Sequence, residues 1–138
     1  MTIEVVASPG EAERLAILAT LTAHNDAAVG PTERRQVAIV LRNDDGAIVG
    51  GLWGMIAFGW LFVQYLAVPP EMQGQGRGRD LMLQGEALAR AANCVGVWLD
   101  TFSFQARGFY EKLGFVQFGT IPDYPPGHSR FFLSKRID

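Results

Sequence analysis

Val68-Pro69-Pro70-Glu71-Met72-Gln73-Gly74-Gln75-Gly76-Arg77-Gly78-Arg79 is the stretch from which the rest of the chain is read. It follows a β-prone run, Trp60 to Val68, and precedes Arg79 to Ala92, where Leu81, Gly85, Leu88 and Ala92 recur at helical spacing. Glycines at alternate positions let the backbone turn tightly and keep side chains out of the way of a close ligand. Their amides, together with the free N–H groups that open the following helix, make a cradle for an anion, and Arg77 and Arg79 add positive charge there. An ordinary glycine-rich loop with exposed arginines has the same composition. Two better-known phosphate loops do not fit. No Gly-Lys-Ser/Thr triplet occurs, and the sixth residue counted from Gly74 is Arg79 and from Gly76 is Leu81, so no dinucleotide fingerprint is present.

Upstream of this stretch, Ile3 to Ala7 reads as a short strand. Ser8-Pro9-Gly10-Glu11 turns into a helix that runs to about His24, and Asn25 to Pro31 reads as loop. Val37 to Leu41, Ala47 to Ile56 and Trp60 to Val68 read as three antiparallel strands, joined by turns at Asn43-Asp44-Asp45-Gly46 and Phe58-Gly59. Downstream, Val95 to Thr101 is a strand. Ala106, Phe109, Tyr110 and Leu113 mark a helix closed by Gly114, and Val116 to Ile121 and Ser129 to Ser134 complete the strands. The expected order is β-α-β-β-β-α-β-α-β-β, an α+β fold on a mixed sheet. Its strands are mostly antiparallel, with a parallel pair where strand, helix and strand follow one another between residues 60 and 101.

The chain has 138 residues, 49% of them apolar, 16 of them glycine and one of them cysteine, with a formal net charge of −2. This predicts a single domain over residues 1–138, large enough to bury a core. A lone Cys94 leaves no disulfide framework or cysteine-rich zinc site, and two histidines, His24 and His128, do not suggest a metal cage. The near-neutral charge gives no support to a nucleic-acid partner. The apolar run from Ile48 to Val68 is broken by glycines and favours strands over a membrane span, and the N-terminus has no charged n-region followed by an apolar run. A cytoplasmic protein is the expectation.

Gln73-x-x-Gly76-x-Gly78, set between Leu66-Ala67-Val68-Pro69 and a helix, resembles motif A of the GCN5-related N-acetyltransferases. Leu99-Asp100-Thr101 followed by Ala106-x-x-Phe109-Tyr110-Glu111-Lys112-Leu113-Gly114-Phe115 resembles motif B of the same family. The clear resemblance runs from about Ile48 to Phe118, with the two blocks in the family's order and on the expected elements. It implies the GNAT fold, whose central parallel pair is splayed by a bulge, and acetyl-CoA as cosubstrate. The expected reaction moves acetyl to a primary amine, on a small molecule or a peptide, by direct attack in a ternary complex. A non-catalytic acyl-CoA-binding module on the same fold is the alternative.

Residue by residue, the resemblance implies that Gln73 opens the loop and that the backbone of Gly74, Gly76, Arg77, Gly78 and Arg79 meets the pyrophosphate. The backbone of Leu66 and Val68 would pair with the pantetheine arm, as an added strand does. Tyr110 takes the place of the family's general acid toward the departing thiolate, although a tyrosine on an apolar helix stripe is also a core residue. Ser103 stands where many members carry a pantetheine-binding Asn, so a hydroxyl would make that contact here. Gln64 lies on the strand where a glutamate often serves as base, and its amide does not accept a proton at neutral pH.

Several other residues have two readings each. Asp100 faces the acceptor cleft or caps the turn after its strand. His24-Asn25-Asp26 closes the first helix or shapes the acceptor site. Asp123-Tyr124-Pro125-Pro126-Gly127-His128 is a rigid turn whose tyrosine and histidine are within reach of an acceptor, and Trp53 belongs to the core or to the cleft. Cys94 reads as a small buried hydrophobe. A homodimer, with Phe131-Phe132-Leu133 as a contact run, is compatible with the sequence.

Overall fold

Asn43 sets the first hairpin of the sheet. Its side-chain oxygen accepts the N–H groups of Asp45 and Ala47 at 3.0 Å each, an Asx turn that joins β1 (Arg35–Arg42) to β2 (Ile48–Ala57). In this computed structural model, which describes residues 1–138, the chain forms two compact units, Met1–Thr32 and Glu33–Asp138.

The first unit consists of α1 (Glu11–Val29) and its approach. The Glu13 carboxylate accepts the Gly10 N–H at 3.3 Å and steadies the helix start. Two expectations are corrected here. α1 does not stop near His24 but continues to Gly30, whose φ of 82° ends it, so His24, Asn25 and Asp26 are interior helical residues. Ala27 and Ala28 carry the helix past the weak formers Asn25 and Asp26. Residues 3–7 form no strand, because a β-prone run becomes one only when another strand pairs with it.

The second unit adds β3 (Trp60–Ala67), β4 (Gly96–Phe102), β5 (Val116–Pro122) and β6 (Ser129–Arg136) to the first hairpin. Together they form a six-stranded sheet in the order β1-β2-β3-β4-β6-β5. Only β3 and β4 pair in parallel, as the sequence predicts, and the crossover between them is α2 (Arg77–Ala91). The short α3 (Arg107–Lys112) follows β4, and Gly114 at φ 95° turns the chain out of it. β6 is paired on both sides, so Phe131-Phe132-Leu133 belongs to an inner strand, with Leu133 fully buried. No helix is long and apolar enough to cross a membrane.

The core lies between the sheet and α2, around Leu61, Val97, Leu99, Leu133 and Met82. Gly85 brings α2 close to the sheet, since a Cβ there would stand 3.2 Å from Leu52 Cδ1 and 3.7 Å from Leu61 Cδ2. Glu86, nearly fully buried on the same helix, receives the Lys135 ammonium of β6 at 2.8 Å and the Arg90 guanidinium at 3.6 Å. Cys94 is buried in the core cluster, and burial pushes its thiol pKa up.

Candidate active site

Two local features of β3 open the site. Trp53 pairs with Tyr65, but its neighbour Gly54 pairs with Val63, so Gln64 is an extra, bulged residue. Gly54 makes this possible, because a Cβ there would sit 2.4 Å from the Phe62 carbonyl oxygen. The bulge shifts the alternation of the strand. Val63 and Leu66, an odd number of residues apart, come to the same face of the sheet, that of α2. The pairing of β3 with β4 runs from Trp60–Gly96 to Val63–Leu99 and stops there. Beyond that register the two parallel strands separate, and the residues from Gln64 onward have no partner strand on the β4 side.

The gap is an open cleft of about 1490 Å³. One wall is β3 from Phe62 to Ala67 with Val68 just beyond it, and the other runs from Leu99 to Phe102 and on to Phe104, Gln105 and Ala106. Gln73, Gly74, Gly76, Arg77, Gly78 and Arg79 close one end, and Phe109, Tyr110 and Arg130 also line it. The structure thus brings Leu66, Val68, the loop residues and Tyr110 to one cavity.

The glycine loop is built from a single 3-10 turn, Pro70–Met72, and a helix start that the sequence reading places two residues late. Gly76 is the N-cap of α2 in the left-handed region, at φ 78°, with no side-chain cap. Arg77 and Gly78 are helical, although a glycine in the first turn reads as loop by propensity. Asp80 N–H is the first to find a carbonyl, that of Gly76 at 3.0 Å, so the amides of Arg77, Gly78 and Arg79 have no intrahelical acceptor. A Cβ at Gly74 or Gly76 would meet nothing within 4 Å, so the loop has open space at these two positions. The Gln73 amide donates to the Val68 carbonyl at 3.0 Å and ties the loop to the end of the strand. Backbone donors, a helix dipole and two arginines in one place have the chemistry that suits a phosphate-like anion.

Tyr110 stands on α3 against Phe109 and Phe115, with ring centroids at 5.0 and 6.1 Å. It packs against the core and lines the cleft, so the core and cleft readings hold together. Burial, with a smaller contribution from the Asp100 carboxylate, pushes its pKa up to about 12. The phenol is therefore protonated throughout the neutral range. Asp100 faces the cleft and is held by Arg130 in a forked pair, Nε to Oδ1 at 2.9 Å and Nη2 to Oδ2 at 2.8 Å. That hydrogen bond raises the Arg130 pKa further.

Ser103 is not part of the lining. Its Oγ accepts the Ser129 N–H at 3.0 Å and lies 3.3 Å from His128 Nδ1, so the hydroxyl fastens the end of β4 to the start of β6. The cap of the turn after β4 is not Asp100 but Gln105, whose Oε1 accepts the Phe102 N–H at 2.8 Å. Trp53 pairs with Tyr65 on the face away from α2 and is outside the cleft. Phe102, Phe104 and Arg130 are cleft residues that the sequence reading passes over. Two phenylalanines flanking Ser103 at a strand end were the available signal, while Arg130 joins them only through the β4–β6 pairing.

A mixed sheet with a splayed parallel pair, a glycine loop opening the crossover helix and a tyrosine across the gap define an acetyltransferase of the GNAT class, and residues 33–117 match the family described as Acetyltransferase (GNAT) domain. The chain belongs to that family. It is 41% identical to Acetyltransferase Atu2258 of Agrobacterium fabrum over 127 residues, 92% of each chain. It is 40% identical to Blasticidin-S acetyltransferase of Streptomyces morookaense over 93 residues, 67% of this chain and 68% of that one. A crystal structure from Agrobacterium tumefaciens superposes with a TM-score of 0.92 at 36% identity, covering 99% of this chain and 100% of the other.

Proposed function

We propose that this acetyltransferase moves acetyl from acetyl-CoA to the primary amine of a small molecule, by direct attack within a ternary complex. The observation that carries this reading is the loss of β3–β4 pairing beyond Val63–Leu99, beside the free amides at the start of α2. The residues present fit a diphosphate-bearing coenzyme: open space over Gly74 and Gly76, amides without intrahelical acceptors, and two arginines. Acetyl-CoA, when bound, supplies an acetyl thioester.

In this reading Gly74, Gly76, Arg77, Gly78 and Arg79 hold the diphosphate, and Gln73 keeps their loop folded against Val68. Leu66 near the end of β3 and Val68 just beyond it offer backbone groups to an extended arm, the Val68 carbonyl being the one that also receives the Gln73 amide. A backbone N–H at the Gln64 bulge stabilises negative charge as it develops on the thioester oxygen. Tyr110, neutral and open to the cleft, gives its proton to the leaving sulfur. Gln64 takes no proton, so the acceptor attacks as the free amine and releases its proton to solvent. Ser103, engaged with Ser129 and His128, does not replace the pantetheine-binding Asn of other members unless it releases that contact.

Residues 1–138 are read as one catalytic domain, supported by a relative that aligns over 92% of the chain. A relative named for blasticidin S supports a small-molecule acceptor over a peptide. A lone buried Cys94 is consistent with a cytoplasmic protein.

The test is incubation with acetyl-CoA and a broad panel of amines, following thiol release and the mass of the product. Amine-dependent release with a product heavier by one acetyl group is expected. Thermal stabilisation by the coenzyme with no release above hydrolysis, across the panel, overturns the reading in favour of a binding module.

A further inference from the structure

The splay of β3 from β4 gives the cleft two mouths of different chemistry. On the α2 face stand Val68, Gly78 and Phe109 beside the glycine loop. On the other face the alternation of β4 places Trp98, Asp100 and Phe102, with Phe132 and Arg130 opposite the last two on β6. At this second mouth Phe102 and Phe104 are stacked, with ring centroids 5.1 Å apart and an interplanar angle of 4°. Both line the cleft, and Phe104 is 57% exposed. The buried core lies on the opposite face of the sheet.

The rings are contacted by residues of β6 and of the turn before it. The Arg130 guanidinium lies 5.4 Å from the Phe102 centroid and is itself fixed by its forked pair with Asp100. Arg130 also donates to the Tyr124 hydroxyl at 2.9 Å, and the Tyr124 ring stands 5.6 Å from Phe102. The His128 ring is perpendicular to that of Phe104, with centroids 5.1 Å apart, and its Nδ1 lies 3.3 Å from Ser103 Oγ. A ring surface fixed in advance from behind loses little freedom when it binds a ligand.

We propose that the outer face of Phe104, backed by Phe102, is the stacking platform for the acceptor, and that the acceptor carries a flat aromatic or heteroaromatic ring on a short chain from its primary amine. The proposal rests on the acetyl-transfer reading above and names its substrate class. The ring lies on Phe104 while the amine extends past Asp100 toward Tyr110. Asp100 already neutralises Arg130, so the platform offers a π surface and not a net charge, and a straight aliphatic amine leaves that surface uncovered.

The experiment compares arylalkylamines with straight-chain amines of equal length, in the native enzyme and in Phe104→Leu. It reads kcat/KM for thiol release, and saturation-transfer NMR of the ring protons with coenzyme A present. Leucine keeps apolar bulk at an exposed position and removes the flat face. The native enzyme favours the aryl amine, and Phe104→Leu lowers the aryl-to-alkyl ratio by up to about tenfold. Ring-proton saturation is seen in the native enzyme and lost in the variant. Equal use of both amines, with a ratio and an NMR signal that Phe104→Leu leaves unchanged, overturns the platform and leaves acetyl transfer standing. No thiol release from any amine overturns acetyl transfer and the platform with it.

Discussion

Gly78 and Phe109 join the two halves of the site: a Cβ on Gly78 would stand 3.2 Å from Phe109 Cζ. The first turn of α2 thus rests on the ring that neighbours Tyr110, and the loop and the candidate acid share one packing contact. Gly78→Val would push Phe109 aside, a destabilisation of about 1 to 3 kcal/mol from overpacking. The expected result is a Tm lower by roughly 3 to 10 °C and a raised KM for acetyl-CoA, measured by calorimetry and steady-state kinetics.

Gly76 separates loop function from fold. Its φ of 78° disfavours any residue with a Cβ, at a cost of about 1 to 2 kcal/mol, while the space around it is open. Gly76→Val is expected to weaken coenzyme binding by an order of magnitude or more, as titration calorimetry would measure, with the far-UV circular dichroism retained. Unchanged affinity would remove the loop from the binding site.

Tyr110→Phe keeps the ring against Phe109 and Phe115 and deletes only the hydroxyl. Turnover is expected to fall on the order of a hundredfold or more, with the KM for acetyl-CoA within about twofold. An unaltered kcat would leave Tyr110 as a packing residue alone.

The same residue gives the protein an alkaline signature. With a folded-state pKa raised to about 12, Tyr110 holds its proton more tightly when folded than when unfolded. Its contribution to stability is complete below pH 10 and is lost as the pH rises from there toward 12, on the order of 2 to 3 kcal/mol. Urea unfolding across that window is expected to show a steeper loss of stability in the native protein than in Tyr110→Phe.

Lys135→Met leaves the Glu86 carboxylate buried with only the Arg90 contact at 3.6 Å. A cost of about 2 to 4 kcal/mol follows, or a Tm drop on the order of 10 °C. Glu86→Gln, which removes the buried charge, is expected to cost less, and thermal melts of the two variants decide it.

The parallel pair, the glycine loop and the family were all legible because each lies in contiguous sequence: strand, Gln73 to Gly78, helix, strand. Element ends were less so. α1 continued past Asn25-Asp26 and α2 began at Arg77, because a helix end is set by neighbouring context and by a single left-handed glycine more than by mean propensity. The strand expected at residues 3–7 lacked a partner to pair with.

By itself the sequence determined the class of reaction. Turn chemistry, helical spacing and the two motif blocks are local, and local pattern specifies which elements form and which residues sit at their ends. Only the tertiary structure decided what those residues meet. It placed Gln64 as the bulge that shifts the face of β3, tied Ser103 to Ser129 and His128, and set Arg130 behind Phe102 through a pairing thirty positions from Asp100. Contacts between distant strands depend on register, and one bulge shifts that register by a residue, so the second mouth of the cleft is a property of the folded sheet.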